Sequence, residues 1–422
     1  MSSLALRGRT RQWWTRLHRW TGLTVLLFLL LTALTGVVLA FRGEVDAWLN
    51  PELFSVAPAT EHRPLGELIA GVESRYPGIR VSSVGLPQSA TDSLRLFVRR
   101  EQDLLEPPRR SPGMRSAAPF NQVFVDPYRG SVLGTRDTSA FVLDRHNFVP
   151  FLLRLHYSLF LEKWGVWLLG GCAVLWFLSN GIGLALCWPR GAASFAAWQP
   201  LCRVRRGLGS YKFNYDLHRA AGLLSLPVLA VVAFTSIYLN LPDMVKPMVA
   251  AISPLTATTP PRVERLSLSD PVLTPEAAIA LAQARLPGSE ATFLQRDLTR
   301  GVYSVRLKQA GDVGSSGDHS VWLAMRDGRV VGTRLGSERS AGDVFIAWMR
   351  PLHGGTAFGL PGQILIALSA LALMALCLTG VVVWWRKQRG EKVLASRRRL
   401  ASQQSQTNLM DTPSVAVVRS HP

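Results

Sequence analysis

The sequence predicts an α-helical membrane protein: a four-helix transmembrane bundle from a tandem duplication, carrying two exported α+β modules. Three observations predict it. Four apolar runs, at 20–41, 164–188, 220–241 and 360–385, are each long enough to cross a hydrocarbon core of ~30 Å, which takes ~20 helical residues. Motifs recur along the 422-residue chain at fixed shifts of 200 and 197. Positive charge gathers beside the helix ends on one side only.

Taken in order, the first apolar run follows Arg7, Arg9, Arg11, Arg16 and Arg19. It resembles a signal peptide, but it exceeds an h-region of ~7–15 residues and no small-x-small site follows, so an uncleaved anchor is expected. None of the four runs holds an acidic or basic residue, and Arg219 stands at the mouth of the third. The expected order is an arm and first helix (1–41), first module (42–150), second helix with lead-in (151–188), loop (189–216), third helix (217–241), second module (242–350), fourth helix with lead-in (351–385) and a basic, solvated, partly disordered tail (386–422).

The two modules read alike. In the first, residues 64–76 have helical spacing and stop at Pro77-Gly78; strand-like runs follow at 79–85, 93–100 and 121–125, then a turn at Asp126-Pro127-Tyr128-Arg129-Gly130 and a strand at 131–135. In the second, Thr274-Pro275 starts a helix ending at Pro287-Gly288. Strands are expected at 290–297, 302–308, 320–325 and, after Asp327-Gly328, 329–333. The endings Val132-Leu133-Gly134-Thr135-Arg136 and Val330-Val331-Gly332-Thr333-Arg334 match almost residue for residue.

Most of the net charge of +19 lies in the N-terminal arm, the 189–216 loop and the tail, whose only acids are Asp216, Glu391 and Asp411. Such asymmetry in short segments beside helix ends is the positive-inside pattern, so both termini and that loop are expected in the cytoplasm and both modules in the periplasm of a bacterial inner membrane. It argues for proximity to anionic lipid and against a nucleic-acid partner. Cys172, Cys187, Cys202 and Cys377 fall outside the exported segments, and no C-x-x-C-H attachment motif is present. The tryptophans Trp13, Trp14, Trp164, Trp167, Trp188, Trp384 and Trp385 sit at helix ends as an interfacial belt.

Four of the eight histidines form two echoes. Leu17-His18-Arg19-Trp20-Thr21-Gly22-Leu23 recurs as Leu217-His218-Arg219-Ala220-Ala221-Gly222-Leu223, and Leu155-His156 with Gly165 recurs as Leu352-His353 with Gly362; the latter shift also carries Gly183 onto Gly380. His18 and His218 stand at cytoplasmic mouths, His156 and His353 at periplasmic ones, so each equivalent pair can meet across a pseudo-two-fold axis. Two opposed neutral imidazoles suit the axial positions of a haem iron; zinc would want four ligands, and no Cys, Asp or Glu accompanies them. Gly22 and Gly222, at i+4, would let a flat macrocycle approach the backbone, and Arg19 and Arg219 could pair with propionates. Any haem must be held non-covalently. Of the remaining histidines, His62, His319 and His421 read as surface residues and His146 as structural.

These residues resemble the PepSY-associated transmembrane family, also called iron-regulated inner-membrane proteins, from about Arg11 to Lys387. The family includes ferric-siderophore reductases, di-haem b proteins that reduce siderophore-bound Fe(III) in the periplasm. The resemblance implies His18 and His218 as cytoplasmic-side ligands and His156 and His353 as periplasmic-side ligands. It implies a haem-dependent metalloreductase whose partners are a ferric siderophore or other periplasmic Fe(III) chelate and a separate electron donor. Saturated axial ligation favours outer-sphere electron transfer. Neither a P-loop nor a nucleotide-binding G-x-G-x-x-G is present, so electrons would come from a cytoplasmic reductase or quinol. Arg99-Arg100 and Arg109-Arg110 are candidates for docking anionic chelates. Two competing readings are a membrane-anchored PepSY binding or sensor module without redox activity and a transporter component; helix centres without charge disfavour the second.

Overall fold

The computed structural model describes residues 8–104, 118–189, 195–312 and 317–410. Four helices are long and apolar enough to cross a membrane: Gly8–Leu39, Glu162–Cys187, Ser210–Asn240 and Gly359–Met410. The fourth continues unbroken to Met410, with nearly every side chain from Arg386 to Gln403 exposed, so the basic flank begins as a solvated helix. Good helix formers, a Lys387–Glu391 pair at i,i+4 and the Arg389 guanidinium 3.7 Å from the Trp385 ring centroid support that extension. Trp13, Trp20, Trp164, Trp167 and Trp385 are all exposed, as an interfacial belt requires. Arg7, Arg109, Arg110 and His421 lie outside the described residues.

The chain divides into two compact units. One comprises residues 1–24, 182–224 and 375–422, the helix ends that carry most of the positive charge. The other comprises residues 25–181 and 225–374 and contains all eight strands.

The strands are β1 (Ile79–Gly85), β2 (Leu94–Arg100), β3 (Gln122–Val125), β4 (Val132–Arg136), β5 (Glu290–Asp297), β6 (Val302–Lys308), β7 (His319–Ala324) and β8 (Val330–Arg334). The alternating patterns place them within a residue or two of expectation. The expectation of two modules needs correcting, however. All eight strands form one antiparallel sheet in the order β4-β3-β2-β1-β5-β6-β7-β8. The seam is the pairing of β1 with β5 at Ser83–Gln295, Val84–Leu294 and Gly85–Phe293. Neither four-stranded half ends in an exposed inner edge, because each covers the other's.

Helices Leu65–Arg75 and Pro275–Arg285 cover one face of this sheet. Leu68, Ile69, Val72, Ala278 and Ala282 pack on Leu94, Leu96, Val98, Val305, Leu307 and Leu323 in one continuous core. The two helices are tied directly, the Gly66 amide donating to Glu276 Oε1 at 2.6 Å. Thr274 caps its helix by accepting from the Ala277 amide, with Pro275 in the first turn, as its sequence predicts.

Behind β4 lies a buried ion pair. Arg136 Nη2 sits 2.9 Å from Asp46 Oδ2, with the Arg136 side chain 7% and the Asp46 side chain 10% exposed. Asn50 Nδ2 donates to the same carboxylate, while Arg136 Nε donates to Gln122 and Nη1 to the His146 carbonyl. The network anchors the sheet to Arg42–Leu49, the helix that follows the first membrane helix. Breaking a buried pair leaves an uncompensated charge, costing roughly 3–5 kcal/mol, whereas replacing both partners with apolar groups is far cheaper. Asp46→Ala should therefore lower the unfolding midpoint sharply, and Asp46→Leu combined with Arg136→Met should recover most of the loss in the same denaturation measurement.

Candidate functional site

Short helices, separate from the membrane helices, carry two of the four singled-out histidines. His156 lies near the end of Phe148–Ser158 and His353 near the end of Ala341–Gly354. A tight turn then reverses the chain into the next membrane helix. Here Gly165 and Gly362 explain their place in the echo. A Cβ on Gly165 would lie 1.7 Å from the Ser158 carbonyl oxygen, and one on Gly362 2.1 Å from that of Gly355. Both are needed for close backbone approach rather than for ligand space. In the first turn Leu159, Phe160 and Glu162 adopt positive φ, held by a cluster of Phe141, Phe151 and Phe160.

The histidines meet in the expected combinations, each pair within one unit. His18 and His218 have ring centroids 6.3 Å apart and planes at 76°. His156 and His353 have centroids 6.3 Å apart and planes at 71°. A metal–imidazole bond is about 2.0 Å, and the ring centroid lies about 1.2 Å behind the nitrogen, so two imidazoles on opposite sides of one ion have centroids about 6.4 Å apart. Both pairs have that spacing.

Hydrogen bonds decide which ring nitrogen is available. His156 Nδ1 lies 2.9 Å from Thr35 Oγ1 and His353 Nδ1 3.0 Å from Thr235 Oγ1. Each hydroxyl already donates to helix carbonyls, Thr35 to those of Leu31 and Thr32 and Thr235 to those of Val231 and Val232. Each must therefore accept from an Nδ1–H, which leaves the lone pair on Nε2. His218 Nδ1 donates likewise to the Leu376 carbonyl at 3.1 Å and to Thr379 Oγ1 at 3.0 Å. Burial lowers the pKa of both His156 and His353, and in His353 the neighbouring His156 and Arg350 add to it, so both rings are neutral. Neutral rings with Nδ1 spent on a neighbour are the form in which histidine ligates metal. Thr35 and Thr235 escape a search for charged or metal-binding residues, yet they carry the same 200-residue shift as His18 and His218.

The glycines against the rings differ from the expected ones. A Cβ on Gly183 would stand 3.4 Å from His18 Cε1, and one on Gly380 3.4 Å from His218 Cε1. Gly36 stands likewise to His156. Alanine would just touch the ring at any of these positions and a larger side chain would displace it. At the expected positions, a Cβ on Gly22 meets no atom within 4 Å, and one on Gly222 meets only Leu376 at 3.5 Å.

The arginines part ways. Arg19 has a buried Nε with no hydrogen-bond partner among the described residues. Arg219 is committed to the loop, donating to the carbonyls of Leu201, Pro200 and Arg203 and pairing with Asp216 at 3.2 Å. With Arg11, Cys187, Trp188 and Tyr215 it lines a cavity of about 400 Å³. His146 bridges to Glu52 at 3.1 Å, and His62 packs edge-on against Tyr128. His319, expected at the surface, is instead 5% exposed. It donates from Nε2 to Asp312 and accepts the Gly336 amide at Nδ1, because the chain after β8 folds across the start of β7.

The donor set suits a macrocyclic iron rather than a bare ion. Among the described residues, no cluster of three or more His, Cys, Asp or Glu could hold a metal. A porphyrin brings its own equatorial nitrogens and needs only two opposed imidazoles.

A family model described as the PepSY-associated TM region matches residues 15–387, and the chain belongs to that family. Comparison with curated proteins gives no match. The matched span includes all four histidines together with Thr35 and Thr235.

Removing the threonine hydroxyl leaves a buried imidazole N–H without an acceptor, at a cost of roughly 1–3 kcal/mol. Thr35→Val and Thr235→Val should each lower the thermal midpoint of the detergent-solubilised protein, while Thr35→Ser, which keeps the hydroxyl, should leave it near the wild-type value.

Proposed function

We propose, from membership of the PepSY-associated transmembrane family and the geometry of the two histidine pairs, that this protein is an inner-membrane di-haem b electron carrier. It takes electrons on the cytoplasmic side, from a reductase or quinol, and passes them to a periplasmic ferric chelate, as a ferric-siderophore reductase does. The observation that carries the reading is the shared 6.3 Å spacing of the two pairs, with Nδ1 engaged and Nε2 left for iron wherever the hydrogen bonds are described. Two unrelated packing contacts have no reason to arrive at one ligand spacing.

Haem, when bound, would supply a one-electron couple suited to outer-sphere transfer. The chain's residues supply the rest. His18 with His218 and His156 with His353 would hold the two irons, Thr35, Thr235 and Thr379 orient the rings, and Arg19 would offer a buried donor to a propionate. Each electron delivered converts one chelated Fe(III) to Fe(II) and oxidises the donor by one equivalent. Hard oxygen chelators hold Fe(II) less tightly, so reduction frees the metal.

The matched motifs, the matched strand order on either side of the seam and the matched threonines support descent from a tandem duplication. The concentration of Lys and Arg at the arm, the 189–216 loop and the fourth helix end supports termini in the cytoplasm and the sheet in the periplasm.

An absorption spectrum of the purified protein tests this reading. A Soret band with sharp α and β bands on reduction is expected, and a colourless preparation from haem-replete cells would overturn it. His18→Ala or His218→Ala should remove half of the extractable haem, and His156→Ala or His353→Ala the other half. Loss of all haem from every variant would instead mean that the histidines hold the fold together.

A further inference from the structure

The sheet has a second face, turned away from the packing helices. Register places Arg95, Gly85, Phe293, Arg306, Ser320 and Arg334 in one row across β2, β1, β5, β6, β7 and β8. Alternation sends these side chains to the side opposite Leu96, Val305, Leu307 and Val321, which belong to the core. The row is cationic and lacks an acid. Arg350, one turn before His353 on the same helix, stands within electrostatic reach of both Arg306 and His353, and Arg42 lies within reach of Arg350.

These charges are not neutralised locally. Among the described residues, Arg306, Arg334 and Arg350 make no ion pair and no guanidinium hydrogen bond, and Arg334 Nε is buried without a partner. Asp318, the carboxylate that acts on Arg306, is already paired with Arg339 at 3.0 Å. Burial and the neighbouring Arg334 and Arg350 lower the pKa of Arg306, although its side chain remains open to solvent.

The matched half makes the asymmetry plain. Arg136 occupies the place corresponding to Arg334, is neutralised by Asp46 and donates a hydrogen bond to Gln122. Across from Arg334, Ser320 stands where Gln122 stands across from Arg136, too short to reach as an amide would. Asp243, 197 residues beyond Asp46, is exposed and forms no ion pair among the described residues. The second half has kept the arginine and lost its counter-ion. Uncompensated, crowded guanidinium groups are an energetic cost that an anionic ligand would relieve.

We propose that Arg306, Arg334 and Arg350 form the receptor for a small, net-negative ferric chelate, one whose shell presents carboxylate or catecholate oxygens, held on the sheet face beside His353. The proposal rests on the electron-transfer reading and names its substrate class. Planar guanidinium forks match such oxygens in pairs, and the Phe97 and Phe293 rings, 5.7 Å apart, give the same face an apolar floor over which Arg306 lies at 5.5 Å.

Binding of redox-inert gallium(III) complexes tests the proposal without requiring turnover. The full-length protein in detergent should bind gallium(III) citrate, an anionic complex, with an affinity that falls as salt rises. Arg306→Gln and Arg334→Gln should each weaken that binding about tenfold, which is about 1.4 kcal/mol, while Arg306→Lys keeps most of it. Weak binding of the neutral gallium(III) tris-acetohydroxamate should be unchanged, and so should the Soret spectrum. Unaltered citrate binding in both glutamine variants would sink the proposal, as would an equal loss for the neutral complex. A glutamine variant that shifts the Soret band or releases haem would reassign the arginines to the propionates and overturn it too. Absence of haem in the wild type would refute the electron-transfer reading separately, since gallium binding is measured on its own.

Discussion

An imidazole set among apolar helices has two nitrogens to satisfy, and the structure turns on how one of them is used. At His156 and His353 a threonine on a membrane helix accepts the Nδ1 proton because its own proton is already given to the helix backbone. The direction of that bond fixes the tautomer, and the tautomer fixes which side of the ring can meet a partner. The helices follow from the same demand. Thr35 must face the helix that ends in Ser158, and the turn that follows can form only because Gly165 lets the next helix start against a carbonyl. Glycines at 36, 183 and 380 then stand where a side chain larger than alanine's methyl would push a ring out of line.

The halves are alike in backbone and unlike in charge. Arg136 is enclosed in a satisfied network that fastens the sheet to Arg42–Leu49. Arg334, at the matching place, has neither carboxylate nor amide and joins Arg306 and Arg350 on an open face. One arginine is thus spent on stability and its counterpart is left for a ligand. The two halves keep one strand order while differing at these outer-face side chains.

Much of this was legible in the sequence, for reasons that can be named. Strand boundaries followed from period-two alternation, and the turns from Asp-Pro-Tyr-Arg-Gly and Asp-Gly. The histidine combinations followed from repetition, since each histidine motif recurs once, at a shift of 200 or 197 residues. Other features were out of reach. A threonine in an apolar run reads as neutral, so Thr35 and Thr235 stood out only once the rings were seen beside them. His319 looked exposed because nothing local shows that the chain returns over it. Gly22 and Gly222 drew attention by lying at i+4 from their histidines, whereas the glycines that touch rings come from other helices. The union of the two modules into one sheet is a long-range pairing of β1 with β5, and alternation within a strand says nothing about its neighbours.

That union bears on how the molecule can be made. A polypeptide severed in the 189–216 loop would yield two fragments, each with a sheet ending in bare amides and carbonyls along β1 or β5. Such borders recruit any strand that passes, including a second copy of the same fragment. Encoding both halves in one reading frame fixes their stoichiometry at synthesis and gives every such border its proper mate nearby. Covalent linkage therefore serves as quality control for the assembly.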